Sequence, residues 1–231
     1  MRHLIAVLII VSMSLPVGCD REKDTKSWDL AEHLREAGVT FRRVDIGKDG
    51  MYEVDLRNSN IVDLSPLRGM RVSKLQLTNT KVVDISPISG MPLAELSLTG
   101  TEVDNLSPLK GMSLKKLYLC DTAIVDLSPL RGIPLDTLNV CRTKVRDLSP
   151  LRGAPLTWIT IVDTEVTDLS PLEGMPLETL LFHPKSITKG IQQVRAITSL
   201  KRLGWGKAHL WQREDFWQRY DQGEFVKKIN N

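Results

Sequence analysis

A recurring heptapeptide constrains this chain more than any other feature. LSPLRGM begins at Leu64, and variants begin at Ile85 (ISPISGM), Leu106 (LSPLKGM), Leu127 (LSPLRGI), Leu148 (LSPLRGA) and Leu169 (LSPLEGM). Each start lies 21 residues after the last, without insertion. The full period reads L-S-P-L-x-G-M-P-L-x-x-L-x-L-x-x-T-x-V-x-D. A degenerate copy precedes it: Val54, Leu56, Ser59, Ile61 and Asp63 stand 21 residues before Leu75, Leu77, Thr80, Val82 and Asp84. A strict period of this length is the signature of stacked repeats.

The chemistry of each column predicts its place. In L-x-x-L-x-L, as at Leu114, Leu117 and Leu119, the final period of two predicts a short strand with one buried face. Ser65-Pro66-Leu67 predicts a helical start. Ser is the expected N-cap, and Pro takes the first helical position, where a missing N–H costs nothing. Gly69 is the expected stop. Thr80, Thr101, Thr122, Thr143 and Thr164 form a column whose hydroxyls suit backbone groups in the turn after each strand. Asp63, Asp84, Asp126, Asp147 and Asp168 form another, broken by Asn105. Capping and solvation of the convex turns suit this row better than calcium, because each repeat supplies one carboxylate and no Gly-rich acidic loop. One repeat alone buries too little apolar surface to offset the entropy of ordering it, so the array folds only as a stack.

Over about residues 51–189 this pattern resembles the leucine-rich-repeat family, and within it the short repeats of bacterial internalin-like proteins. The resemblance implies an α/β solenoid with parallel strands on a concave face, short helical turns on a convex face and a cap at each end. It says little about a ligand. Where the family often carries asparagine this chain carries threonine, which leaves the fold expectation intact.

The expected organisation is an N-terminal cap with the degenerate first repeat over 28–63, six repeats over 64–189 and a C-terminal cap over 190–231. In the first cap, Trp28 to Glu36 predicts a helix. Phe41 to Ile46 and Met51 to Leu56 flank Gly47-Lys48-Asp49-Gly50, a hairpin signal. In the second, Thr188 to Ser199 predicts a helix, Lys201 to Trp205 a last strand and Gln212 to Tyr220 a last helix. Of the chain's five Trp, three Tyr and four Phe, six lie at 205 and beyond. Packing over the last repeat is the expected role of these rings, and a second binding surface is the alternative.

Residues 1–18 predict a secretory signal: Arg2 and His3, an apolar run from Leu4 to Leu15, then Pro16-Val17-Gly18 before Cys19. The run is short for a membrane span, which needs about 20 residues. Its ending resembles the lipobox of bacterial lipoproteins, although Pro16 stands where that motif prefers Leu. Lipidation of Cys19 is expected, after export across the inner membrane, with a polar tether over 19–27. That would anchor the chain in the cell envelope, in the periplasm or at the cell surface. Ordinary cleavage and an uncleaved anchor are the alternatives.

A formal charge of +3 is too weak a basic balance to argue for nucleic acid. Three cysteines, with no C-x-x-C pair, make neither a disulfide scaffold nor a zinc site. Cys120 and Cys141 occupy equivalent places in neighbouring repeats. Parallel in-register Cβ atoms lie somewhat far apart for an easy bond, so two free thiols are expected rather than a disulfide.

Strand residues between the buried leucines face the concavity. By spacing they form three columns: Lys74, Glu95, Lys116, Thr137, Trp158 and Thr179; Gln76, Ser97, Tyr118, Asn139, Thr160 and Leu181; and Thr78, Thr99, Cys120, Cys141, Val162 and His183. The candidate protein-binding residues are Lys74, Gln76, Glu95, Ser97, Lys116, Tyr118, Asn139, Trp158, Thr160 and His183. Trp158 stands foremost, because a large ring on an open strand position needs cover. GxSxG, HExxH and phosphate-loop motifs are absent, and the four histidines share no ligand or triad spacing. The expectation is a monomeric, non-enzymatic protein without cofactor or metal that binds a protein partner. A passive spacer, or an enzyme with an unrecognised site, is the alternative.

Overall fold

The computed structural model describes residues 30–206 and 208–225. Cys19, the expected export signal and the expected tether lie outside the described residues, as does Trp28. Ten strands form a single sheet in chain order. They are β1 (Arg43–Ile46), β2 (Tyr52–Asp55), β3 (Val72–Gln76), β4 (Glu95–Ser97), β5 (Lys116–Tyr118), β6 (Thr137–Asn139), β7 (Trp158–Thr160), β8 (Thr179–Leu181), β9 (Arg202–Gly206) and β10 (His209–Gln212). From β2 to β9 every pairing is parallel, whereas β1–β2 and β9–β10 are antiparallel.

Register follows the period. Leu75, Leu96, Leu117, Leu138, Ile159, Leu180 and Leu203 stand abreast across neighbouring strands, and all are fully buried. The backbone ladder continues past the strand ends, with the Leu77 N–H donating to the Ser97 carbonyl and the Asn79 N–H to that of Thr99, both at 2.9 Å. The solenoid interior is therefore one continuous aliphatic core rather than a row of separate ones. This is a leucine-rich-repeat solenoid.

Each convex turn is a three-residue 3₁₀ segment, the first being Ser65–Leu67. The expected serine cap is not made, whereas the aspartate row caps the turns as expected. Ser65 is the first residue of the turn and makes no cap bond for it. Asp63 instead accepts from the Ser65 N–H at 2.8 Å and from its hydroxyl at 2.7 Å. The same pair of bonds recurs at Asp84, Asp126, Asp147 and Asp168. Asn105 accepts only the N–H of Ser107, at 2.9 Å. The hydroxyl of each column threonine donates to the carbonyl three residues earlier, at 2.6–2.8 Å. Gly69 closes the first turn at φ +76°, with open space where a Cβ would stand.

At the N-terminal end, α1 (Leu30–Glu36) buries Leu30 and Leu34, and β1 folds back on β2. The C-terminal end departs further from expectation. The helix there, α2 (Ile191–Arg195), is shorter than the predicted Thr188 to Ser199. Thr188 and Lys189 are held flat against the previous repeat: the Thr188 N–H donates to Thr167, and the Lys189 carbonyl accepts from Leu169, both at 2.9 Å. Gly190 then turns at φ +88°, and a Cβ there would stand 2.1 Å from the Ser170 nitrogen. That contact explains why glycine stands at 190, where one more period of 21 residues after Leu169 would place leucine. Strand β10 was not anticipated. It doubles back along β9 before α3 (Arg213–Asp221), which buries Phe216 and Trp217 over the last repeat.

Two outcomes are expected. Gly190→Ala meets backbone at a strained dihedral and should cost at least about 2 kcal/mol, against about 1 kcal/mol for Gly69→Ala, in denaturant unfolding. Equal losses would refute the close approach. Asp63, Asp126 and Asp168 are held below the usual carboxylate range by the serine hydroxyl and then the serine N–H, and Asp84 by the same bonds in reverse order of weight. A depressed folded-state value stabilises above the unfolded value and loses that contribution as pH falls through the folded one. Stability should therefore drop below about pH 4. Asp126→Asn should make the drop shallower, measured as the thermal midpoint against pH.

Candidate functional site

The concave sheet divides into regions of different character. At its N-terminal end a cavity of about 270 Å³ is lined by Arg43, Glu53, Asp55, Arg57, Lys74, Gln76 and Glu95. Most of these charges satisfy one another. Arg57 grips Asp55 through two bonds of 2.9 and 2.6 Å, which hold the carboxyl below its ordinary range. Lys74 Nζ lies 3.2 Å from Glu95 Oε1, and Gln76 Nε2 donates to the same oxygen at 2.8 Å. Lys74, Gln76 and Glu95 are thus a closed set rather than three independent contacts.

The centre is different. Lys116 is exposed, and Tyr118, Asn139 and Trp158 are half-buried. Asn139 turns its Oδ1 toward the Cys141 N–H at 3.0 Å. No hydrogen bond or ion pair among the described residues engages the side chain of Lys116, Tyr118 or Trp158. Burial, followed by the nearby charges of Glu95 and Asp136, pushes the Tyr118 hydroxyl upward, so it remains a protonated donor at neutral pH. Tyr118 stands beside Ser97 and Asn139, while Trp158 stands beside Thr137 and Thr179, two strands away. Across the sheet the two residues are thus offset by two strands and by two residues of register.

Several candidates prove unsuitable as contact residues. Ser97 and Thr160 are each only 4% exposed and offer no surface. Ser97 Oγ shares a 2.9 Å bond with Thr78 Oγ1. Small hydroxyl residues sink between longer neighbours on adjacent strands, which column spacing does not reveal. His183 lies at the far end, with Nε2 2.9 Å from Asp163 Oδ1.

The expectation of free thiols is corrected: Cys120 and Cys141 form a disulfide, with Cα atoms 4.7 Å apart. The parallel-Cβ argument holds inside strands. These cysteines lie two residues past the ends of β5 and β6, where the chain swings into left-handed residues at Asp121 (φ 58°) and Arg142 (φ 52°). Those two residues form a bidentate ion pair of 2.5 and 2.6 Å beside the disulfide. The sequence reading missed this alternation of Asp121, Arg142, Asp163 and His183 along one edge, although its period of about 21 is visible. Asp136 was also missed: its Oδ1 is buried without a hydrogen-bond partner among the described residues, and its charge reaches Tyr118. Among the described residues no three His, Cys, Asp or Glu side chains gather as metal ligands.

Solved structures carry the same architecture. The chain is similar to internalin C2 from Listeria monocytogenes, with a TM-score of 0.58, 28% identity, and coverage of 66% of this chain and 70% of that one. It also superposes on another internalin of that organism, inlF, with a TM-score of 0.51 and 23% identity over 64% of this chain and 52% of that one. No family model matches the chain, nor does any curated protein.

Reduction of the Cys120–Cys141 bond, or the double Cys→Ser variant, opens a loop of 21 residues. It should lower unfolding stability by about 3 kcal/mol. A change under about 1 kcal/mol would mean that the stacked repeats alone hold these turns.

Proposed function

We propose that the chain is a non-enzymatic cell-envelope protein that binds a protein partner across the centre of its concave sheet. The observation that carries this reading is the group Lys116, Tyr118 and Trp158. These side chains share one face of a rigid sheet, and none of them is committed to a neighbour, whereas the residues on their N-terminal side neutralise one another. A fixed frame with uncommitted aromatic and cationic side chains has the composition of an interface centre, where Trp and Tyr contribute most of the energy. The fold shared with internalins agrees with a binding scaffold, although fold alone does not determine a ligand. A disulfide between neighbouring turns agrees with export, because such bonds persist in oxidising compartments. The lipid anchor at Cys19 and the envelope location belong to the same proposal.

Two measurements test it. Wild-type protein, cross-linked in intact cells, should capture a defined partner. Trp158→Ala should weaken capture at least about tenfold while the thermal midpoint stays within about 2 °C. An unchanged capture profile would favour the passive spacer. Mass spectrometry of the mature protein should find a diacylated or triacylated Cys19 at the new N-terminus, and an unmodified cysteine or a retained Met1 would remove the anchor.

A further inference from the structure

The last repeat ends in an opening that the described residues of the cap do not fill. Between the turn after β8 and the β9–β10 hairpin lies a cavity of about 490 Å³, walled by His183, Pro184, Trp205, His209, Trp211 and Phe225. Its construction is local. Strand pairing sets His209 opposite Gly206 and Leu210 opposite Gly204, so Trp205 is the extra residue of a bulge. A bulge re-aims the side chain it carries. The Trp205 ring meets four others: His209 stacked at 5.1 Å, Trp211 at 5.0 Å, Phe225 edge-on at 5.2 Å and His183 at 5.9 Å. Despite these contacts Trp205 and Trp211 are only half-buried. The core beneath is already closed by Phe216 against Phe182, at 5.8 Å. The opening is therefore not needed to seal the solenoid.

Charge at the mouth is one-sided. Glu224 is neutralised by Arg219 at 2.7 Å, and the Arg219 guanidinium also lies 5.9 Å from the centre of the Trp211 ring. Lys185 is exposed at the rim and has no ion-pair partner among the described residues. The hydroxyl of Ser186 is likewise without a partner. Among the described residues the site therefore combines flat apolar walls, one uncompensated cation and one spare hydroxyl. Its volume suits a small molecule, and ligand pockets are lined in this way: mostly apolar, with a few polar groups to fix orientation.

We propose that this cavity binds a small amphiphilic acid: a flat, apolar body lies against Trp205, Trp211 and Phe225, and a single anionic group meets Lys185 and Ser186. A cationic ligand is disfavoured because the free charge at the rim is positive. The site is separate from the central concave group and does not depend on a protein partner.

The test uses two fluorescent probes of the full chain, 8-anilinonaphthalene-1-sulfonate, which is flat and anionic, and N-phenyl-1-naphthylamine, which is flat and neutral. The sulfonate should bind with a saturable 1:1 stoichiometry and quench tryptophan emission. Lys185→Ala should weaken the sulfonate about three- to fivefold and leave the neutral probe unchanged. Ser186→Tyr, which plugs the mouth from an exposed position, should abolish both. Trp158→Ala should affect neither. Thermal midpoints of all variants should match the wild type, since Lys185 and Ser186 are exposed. Non-saturable binding would overturn the proposal, as would equal sulfonate affinity in the Lys185→Ala variant or full binding in the Ser186→Tyr variant.

Discussion

Burial across repeat boundaries is the constraint on which everything else in this solenoid depends. Leu117 contacts water in an isolated repeat and is fully buried only when Leu96 and Leu138 stand on either side of it. The same holds for the backbone, because each strand finds its hydrogen-bond partners only in the strands before and after it. Stability is thus a property of neighbours. Local devices serve that requirement. The aspartate, or Asn105 in one repeat, that ties down a 3₁₀ turn and the threonine that closes a strand-to-turn corner both act within one repeat and hold its shape.

This division explains what could be read from the sequence. The solenoid was legible because a period of 21 residues puts identical demands on each position, and only stacking meets them all. The roles of Leu75 or Thr80 follow from repetition alone. The capping chemistry was half legible: the aspartate column was visible, but Ser-Pro looked like a self-sufficient helix start. Only the geometry shows that the serine is held by the aspartate two residues earlier. Where the period fails, local logic takes over. Gly190 stands where the period would put leucine, and its place is dictated by the Ser170 backbone 2.1 Å from where a side chain would begin.

The candidate site was less legible for a different reason. Column spacing assigns a residue to the concave face but does not say how deep it lies or which neighbour claims it. Ser97 and Thr160 share a column with Tyr118 yet are sunk between longer side chains. Lys74, Gln76 and Glu95 are all surface residues by pattern, but their charges and hydrogen bonds are used on one another. The disulfide escaped prediction because it lies beyond the strands, where the geometry assumed for parallel Cβ atoms no longer applies. Each of these outcomes turns on contacts between different repeats at positions whose residue varies from one repeat to the next, which a period cannot encode.

The two proposed surfaces arise from the same requirement. A repeat fold dedicates its aliphatic columns to the stack, so variation is confined to places the stack does not use. One such place is the inward side of the strands, where Lys116, Tyr118 and Trp158 project from a backbone that their substitution would scarcely disturb. The other is the terminus, where no next repeat exists to impose a pattern. There the chain closes its core with Phe216 and Trp217 and reverses direction through β10, which abolishes the parallel edge that would otherwise accept another strand. The β9–β10 pairing carries a bulge at Trp205, whereas the antiparallel β1–β2 pairing at the other end of the sheet is regular. The aromatic cavity thus belongs to this end of the solenoid, where the bulge residue Trp205 forms one of its walls. Because the core is sealed without it, its residues are free to specialise toward a ligand.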